Sequence, residues 1–359
     1  MGRQRVVWVT AGLVAAVTAG AALARPAEVR LSDLSVYLGA VSGLADGDSL
    51  YDFIRGAAPF TYPPFAALLL APLTWAPVAL VQAAWTLATL GTVAGLARLV
   101  VADRRRGTAE ILTLVLLLSA PVASDIKYGQ VSLFLAALIA VDLLALRRTP
   151  WHGVLIGLAA AVKLTPLIFV PLLWFSGRRR AALMASATFA GCGALAVMAL
   201  PGDSWRFWTA EVFQVDRLGY ITGVGNQSLN GAFMRLGLDS KLAVLVLGGI
   251  VAALALHRGS RLARNGDWLS AMTVVGAGSV VLSPVSWTHH QIWLVLAALL
   301  PVTRARTAWA VLVLAVMLLP VTAVLSEARL LLAIAVAAAV PLTVLSRGTP
   351  AVAPAAVRR

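Results

Sequence analysis

The stretch VVWVTAGLVAAVTAGAALA, residues 6–24, contains no charged side chain. As an α-helix it would be roughly 28 Å long, close to the ~30 Å thickness of the hydrocarbon core of a bilayer. Arg3 and Arg5 precede it, as basic residues precede the apolar part of a signal peptide. The apolar run is long for a signal peptide, and Ala22-Leu23-Ala24 is a weak cleavage site. The stretch therefore predicts a membrane-spanning anchor.

The rest of the chain has the same apolar character. Of its 359 residues, 60% are hydrophobic and 12% are charged, whereas charged residues make up about 25% of an average soluble domain. This composition, with its repeated apolar runs, predicts an all-α integral membrane protein with about twelve transmembrane helices. The expected spans are 6–24, 78–100, 109–123, 130–146, 151–162, 165–176, 181–200, 240–257, 268–282, 290–302, 308–325 and 329–346. Several are shorter than about 17 residues, so they need flanking residues or a locally thin bilayer.

The distribution of charge predicts the orientation of these spans. With the N-terminus in the cytoplasm, most of the 29 basic residues fall in cytoplasmic connections and most of the 15 acidic residues fall outside. This skew follows the positive-inside rule. The net charge of +14 could also indicate nucleic-acid binding. That function would need the arginines on one folded face, and here they are scattered between spans, so we exclude it.

One apolar segment, YPPFAALLLAPLTWAP at 62–77, does not fit a simple series of membrane-spanning helices. The part from Pro64 to Trp75 would make a helix of only about 18 Å. Counting it as a span would also place the basic triplet Arg104–Arg106 outside. We therefore expect it to dip into the outer leaflet or to lie along it.

Two long connections, 25–77 and 201–239, fall on the outer side. Long loops on a helical scaffold are where functional sites concentrate. Shorter polar segments join them on the same side: SDIKYGQ at 124–130, KLTP at 163–166 and SPVSWTHH at 283–290. We expect a single polytopic catalytic domain over 1–346 and a basic cytoplasmic tail over 347–359.

The segment LSDLSVYLGAVSGL, residues 31–44, begins with a carboxylate. Its apolar residues recur at helical spacing and predict an amphipathic helix in the membrane interface. Asp33 stands at the start of this helix. It could be an N-cap that accepts backbone N–H groups, or a general base that accepts the proton of a hydroxyl nucleophile.

Other polar residues on the outer side are candidates for ligand binding. Lys163 lies between two apolar runs, so its ammonium must reach the surface or pair with an anion. His289 and His290 could contact an anion, and adjacent helical residues point about 100° apart, which disfavours joint metal chelation. Four amides are either ligand contacts or ordinary loop residues: Gln130, Asn226, Gln227 and Asn230.

Two further patterns have ordinary explanations. Asp46-Gly47-Asp48 has a spacing seen in metal sites, but these are also common turn residues, and we predict neither a metal nor a cofactor. Three tryptophans, Trp205, Trp208 and Trp287, are typical of an aromatic belt at the membrane interface.

Six motifs in order resemble glycosyltransferase family 87. They are DLSVY, FTYPPFAALLLAPL, KYGQVSLFL, GLAAAVKLTPLIFVPLL, GNQSLNG and LSPVSWTHHQIW, which together span residues 33–293. This is the polyprenyl-phosphate-mannose-dependent α-1,2-mannosyltransferase family of actinobacteria, with the GT-C fold. Each motif alone is weak, whereas six in order on one side of the membrane are fairly specific.

The resemblance implies an outward-facing enzyme of the cytoplasmic membrane. It would transfer mannose, with inversion and without a metal, from polyprenyl-phosphate-mannose to a glycolipid or lipid-anchored glycan. Asp33 matches the position of the family's catalytic aspartate, and either His289 or His290 would meet the donor phosphate. Lys163, Gln130, Asn226, Gln227 and Tyr62 are the further expected contacts of the donor phosphate and sugar.

Three alternatives remain at this point. The family also includes arabinofuranosyl transfer from the analogous lipid donor. A transporter or lipid flippase would place ionisable groups at the membrane midplane on broken helices, a pattern that the sequence does not show clearly. A non-catalytic scaffold would not need clustered polar motifs on one side.

Overall fold

The computed structural model describes residues 2–56, 58–104, 108–238, 240–303, 305–319 and 326–343, and these are predominantly helical. The expected tail 347–359 lies outside the described residues, as do the ends of the expected spans 308–325 and 329–346. In the first half the helices are α1 (Gly2–Leu23), α2 (Ser32–Gly43), α3 (Pro64–Leu70), α4 (Val78–Arg104), α5 (Ala109–Leu118), α6 (Ala120–Tyr128), α7 (Ser132–Ala140) and α8 (Val154–Val162). The second half contains α9 (Phe169–Phe175), α10 (Arg179–Ala199), α11 (Pro201–Thr209), α12 (Leu229–Arg235), α13 (Lys241–Arg264), α14 (Trp268–Leu282), α15 (Ile292–Leu296), α16 (Arg306–Leu318) and α17 (Ala328–Ile334). Two short strands, β1 (Ile54–Arg55) and β2 (Ala58–Pro59), pair antiparallel within the first outer loop.

Each expected span contains a helix among the residues that the structure describes, but these helices differ in length. Among the described residues, the helices α1, α4, α10 and α13 are long and apolar enough to cross a membrane alone. Helices α5 and α6 would make a fifth span together, although they meet at an angle of 66°. The bend follows from extended backbone at Ser119 and from Pro121, which has no N–H to continue the helical ladder. The fold is that of a helical membrane protein, and the count of about twelve spans stays a prediction.

The apolar segment 62–77 forms α3 followed by a 3₁₀ turn over Ala71–Trp75. It is too short to cross a bilayer. Its inner face is buried through Ala66 and Ala67, whereas Leu69 and Trp75 are exposed. A short helix whose second face is apolar and exposed fits the expected position in or along the outer leaflet.

Helix α14 forms the centre of the bundle. Its residues from Trp268 to Val281 are all buried, as expected for a helix that is apolar on every side. The Asp267 side chain caps it by accepting the backbone N–H of Ser270 at 3.2 Å. The same carboxylate pairs with Arg104 at 3.0 Å, and this ion pair ties the end of α4 to the start of α14.

A fully buried carboxylate, Asp142, organises the start of α8. It accepts the backbone N–H groups of Gly153 and Leu155, each at 2.8 Å, and lies 2.8 Å from Nδ1 of His152. A carboxylate at a helix N-terminus is stabilised by these donors and by the helix dipole. The carboxylate of Asp142 is therefore satisfied by structural hydrogen bonds. A transport pathway would need an ionisable group that is free to bind its cargo.

Candidate active site

A cavity of about 970 Å³ opens among the connections that the sequence predicts on the outer side and the adjoining helix ends. Its size falls within the usual range of about 300–1,000 Å³ for ligand sites. Six of the residues expected at the site line it: Asp33, Tyr62, Gln130, Lys163, His289 and His290. The apolar lining includes Leu167, Ile168, Pro171, Ala252, Leu256 and Leu282. The cavity thus joins a polar region to an apolar groove between helices.

Asp33 is not the N-cap of its helix, so the capping interpretation is wrong. It lies in the first turn of α2, and the residue before that helix is Leu31, which has φ 42° and makes no side-chain cap. The carboxylate of Asp33 accepts the hydroxyl of Ser32 at 3.0 Å and the side-chain amide of Gln130. Its partners are therefore side chains, and it faces the cavity.

The surroundings of Asp33 raise the pKa of its carboxyl group. Burial raises the pKa of Asp33 above its ordinary value of 3.8, and this effect outweighs the hydrogen bonds from Gln130 and Ser32 and the charge of Lys163. A raised pKa makes a carboxylate a better proton acceptor, as long as it remains ionised at the working pH.

Gln130 is held in one orientation by two tyrosines. Its Oε1 lies 3.0 Å from the hydroxyl of Tyr37 and 3.1 Å from that of Tyr62, and the two hydroxyls are 2.7 Å apart. Three oxygens share only two hydroxyl protons, so two of these contacts are hydrogen bonds at any time. Because Oε1 faces the tyrosines, Nε2 must face Asp33, and Gln130 contacts the expected base directly.

Gly129 explains how Gln130 reaches Asp33. It follows α6 in the left-handed conformation, with φ 68°, which glycine adopts without steric cost. A Cβ atom at this position would lie 2.8 Å from Cβ of Leu34 and 3.0 Å from Cβ of Leu31. The end of α6 can therefore pack directly on the start of α2 only because residue 129 has no side chain.

Lys163 and His290 form a second polar centre in the cavity. Nζ of Lys163 lies 2.7 Å from Nε2 of His290 and 5.2 Å from the centre of the Tyr62 ring. Lys163 ends α8 in extended conformation, outside the helix. Burial lowers the pKa of Lys163 to about 8, while Asp33 and Asp125 act in the opposite direction. The ammonium is therefore mostly charged at neutral pH.

The two histidines have different surroundings. His289 is buried, its Nδ1 lies 3.4 Å from the Ser124 hydroxyl, and its Nε2 has no hydrogen-bond partner among the described residues. His290 accepts the backbone N–H of Trp287 on Nδ1 at 3.2 Å. Burial lowers the pKa of His289 well below 6.5, with the charge of Lys163 as a further cause. His289 is therefore neutral at neutral pH, so any contact of its ring with an anion uses an N–H group.

Asn226 and Gln227 do not line the cavity. Both are fully buried. Asn226 accepts the backbone N–H of Ser286 at 2.8 Å, and Gln227 accepts that of Leu330 at 2.9 Å. The structure thus uses both amides to join the second outer loop to the neighbouring elements. Asn230 also contacts protein, donating to the carbonyl of Pro284 at 3.2 Å.

The pattern Asp46-Gly47-Asp48 forms an exposed turn in which Gly47 has φ 86°. Among the residues that the structure describes, no group of three or more His, Cys, Asp or Glu side chains is placed to hold a metal ion. The turn explains the sequence pattern without a ligand.

Sequence reasoning missed several residues of the cavity and its walls. Glu211 and Arg217 line the cavity and form an ion pair, and Arg217 also donates to the carbonyl of Tyr51 at 2.6 Å. Asp125 is buried beside Gln130 and accepts the backbone N–H of Leu133 at 3.0 Å, whereas its Oδ1 has no hydrogen-bond partner in the part of the chain that the structure describes. Asp125 belongs to the polar segment 124–130, and Glu211 and Arg217 belong to the long connection 201–239, but the sequence did not single out these three side chains.

Comparison with known proteins identifies the family. The model of glycosyltransferase family 87 matches residues 60–284. The chain belongs to glycosyltransferase family 87. The resemblance inferred from the six motifs is thereby confirmed, and membership of family 87 makes the chain a membrane glycosyltransferase. No solved structure matches it.

Characterised relatives come from mycobacteria. A polyprenol-phosphate-mannose-dependent α-(1-2)-phosphatidylinositol pentamannoside mannosyltransferase of Mycolicibacterium smegmatis is 35% identical over 286 residues, covering 73% of this chain and 67% of that protein. A polyprenol-phosphate-mannose-dependent α-(1-2)-phosphatidylinositol mannoside mannosyltransferase of Mycobacterium tuberculosis is 34% identical over 331 residues, covering 82% of this chain and 76% of that protein.

Proposed function

We propose that this family 87 member transfers a mannosyl residue from polyprenyl-phosphate-mannose to a phosphatidylinositol mannoside, forming an α-1,2 linkage with inversion. The names of the mycobacterial relatives supply the donor and the class of acceptor. The observation that carries the proposal is one cavity that holds a carboxylate, Asp33, and a separate cationic centre, Lys163 with His290. A glycosyl transfer from a lipid phosphate needs these two groups.

Each group has one task in the proposed reaction. Asp33 takes the proton of the acceptor hydroxyl, and the hydroxyl oxygen forms a bond with the anomeric carbon of mannose. The bond between that carbon and the phosphate oxygen breaks, and its electrons leave with the lipid phosphate. The ammonium of Lys163 and the imidazole of His290 stabilise the negative charge that develops on this leaving group. The single lipid phosphate leaves without a metal ion.

The shape of the cavity supports a lipid donor. The prenyl chain would lie in the apolar groove between the segment 167–171 and helices α13 and α14. Its phosphate would then reach Lys163 at the polar end, and the mannose would lie towards Asp33. The acceptor would enter from the outer rim, where Glu211 and Arg217 are exposed to the cavity.

The proposal includes an orientation in the membrane. The GT-C fold would have about twelve spans, both termini in the cytoplasm and the cavity facing outward in the cytoplasmic membrane. The positive-inside skew of the connections supports this orientation, as does the position of the cavity among the segments 25–77, 124–130, 201–239 and 283–290.

The test is transfer by membranes that contain this protein. Labelled polyprenyl-phosphate-mannose is incubated with phosphatidylinositol mannosides, and the product is digested with an α-1,2-specific mannosidase. We expect a labelled product that this enzyme cleaves. Polyprenyl-phosphate-arabinose is offered in parallel, and incorporation of arabinose without mannose would contradict the proposed donor.

A further inference from the structure

Trp287 differs in its surroundings from the two other tryptophans expected in the aromatic belt. Trp205 is 75% exposed and Trp208 is 41% exposed, as an interfacial belt requires. Trp287 is half-buried and forms part of the cavity wall. Its neighbours Thr288, His289 and His290 line the same cavity. An aromatic ring in this position needs a different explanation.

The loop 219–225 is shaped to pack against the indole of Trp287. Three of its residues are glycines, and a Cβ at Gly219, Gly223 or Gly225 would lie 3.3, 3.7 or 3.9 Å from the six-membered ring. Gly219 also has φ 99°, which favours glycine over every other residue. The indole N–H donates to the carbonyl of Leu218 at 3.3 Å. The six-membered ring of the indole thus lies close to the loop 219–225, and its N–H is anchored by the carbonyl of Leu218.

The position of the ring is also fixed relative to the phosphate-binding groups. Trp287 donates its backbone N–H to Nδ1 of His290 at 3.2 Å, and Nε2 of His290 lies 2.7 Å from Nζ of Lys163. One helical turn therefore carries both the indole and the imidazole. A sugar bonded to a phosphate at Lys163 would lie within reach of this wall.

We infer that the indole of Trp287 is the surface on which a pyranose ring packs during transfer, an inference that rests on the proposed function. The apolar C–H groups of a pyranose can be buried against an aromatic ring, while its hydroxyls remain free for hydrogen bonds. A rigid aromatic wall costs little conformational entropy on binding. Of the two pyranoses in the reaction, the donor mannose lies nearer to the indole, because it is bonded directly to the phosphate. The acceptor also has a pyranose, which would approach from the other side.

The experiment compares Trp287→Leu, which removes the flat ring, with Trp287→Phe, which keeps one. Each variant is assayed for the KM of polyprenyl-phosphate-mannose and of the acceptor, and for inhibition by bare polyprenyl phosphate, which has no sugar. Trp205→Leu is the matched control, since Trp205 lies outside the cavity wall. We expect Trp287→Leu to raise the KM of the sugar donor about tenfold and to leave inhibition by the bare lipid within about twofold. Trp287→Phe should recover most of the loss.

The outcomes separate the possible sources of the sugar and test the inference. A rise confined to the KM of the acceptor would assign the wall to the acceptor pyranose. Unchanged values of KM for both substrates would overturn the inference. Equal weakening of donor and bare lipid would also overturn it, because the tryptophan would then only shape the phosphate site. A wild-type chain that transfers no mannose would instead disprove the proposed function, a result visible before any variant is compared.

Discussion

The side-chain amide of Gln130 donates to the carboxylate of Asp33, although 97 residues separate the two in the sequence. Oε1 of the same amide is occupied by the hydroxyls of Tyr37 and Tyr62. The amide therefore cannot turn without losing contacts at both ends. We interpret Gln130 as the residue that positions the base, in addition to its expected place near the donor.

Replacing Gln130 by glutamate should move the pH dependence of transfer. A second carboxylate beside Asp33 disfavours ionisation of both, so the pKa of Asp33 should rise and the acid limb of the kcat/KM profile should move to higher pH. Gln130→Leu, which adds no charge, should lower the rate without the same displacement. An acid limb at the wild-type position in Gln130→Glu would show that the two side chains are not coupled.

The pH profile of the wild-type chain should have two limbs. Asp33 must be ionised to accept a proton, and its pKa is raised, so activity should fall as the pH drops through a value above 3.8. Lys163 must be protonated to hold a phosphate, and its pKa is lowered to about 8, so donor binding should weaken as the pH rises through that value. The measurement is kcat/KM for the donor against pH.

Lys163→Arg is the control for the alkaline limb, because a guanidinium stays charged over the whole range. The variant should lose that limb while retaining the acid one. An alkaline limb that persists in Lys163→Arg would assign it to another group.

Gly129→Ala should destabilise the protein and lower its activity. The new Cβ would be 2.8 Å from Leu34 in a residue with φ 68°, so the end of α6 must move away from α2 and carry Gln130 with it. Gly47→Ala is the matched control, since Gly47 has φ 86° and a Cβ there would have no described atom within 4 Å. The control should lose only about 1–2 kcal/mol for the left-handed backbone. Thermal unfolding and transfer rate are measured together, and equal losses in the two variants would refute the packing argument.

Cysteine labelling tests the orientation in the membrane. In a Cys192→Ser background, which removes the one native cysteine, Asp48→Cys should react with an impermeant maleimide added outside intact cells. Asn265→Cys, in the exposed turn between α13 and α14, should react only after permeabilisation. The reverse pattern would invert the proposed topology.

The sequence predicted the helical membrane fold and most of the polar cavity. Asp33, Lys163 and the two histidines fall in separate outer segments, and charge asymmetry alone places these on one side. The hydrogen-bond partners could not be predicted in the same way. Whether Asn226 faces a ligand or a neighbouring loop depends on packing between segments that are distant in sequence.

Other features became visible only in three dimensions. Trp287 had the sequence environment of an interfacial tryptophan, and its closeness to the glycine-rich loop 219–225 depends on how the loops fold together. Pro121 does indicate the bend between α5 and α6 in the sequence. The break is easily overlooked, because spans counted by hydrophobicity alone join the two apolar segments into one.

The base role of Asp33 is tested most directly by single-turnover transfer of labelled mannose in the Asp33→Asn variant. Asparagine has nearly the same shape and can still accept the hydrogen bond from Gln130, but it cannot take a proton. Asp48→Asn, in an exposed turn, is the control. We predict that Asp33→Asn lowers the rate of transfer by roughly 10²–10⁴, with thermal stability and inhibition by polyprenyl phosphate unchanged. A rate within about twofold of the wild type would contradict the assignment of Asp33 as the base.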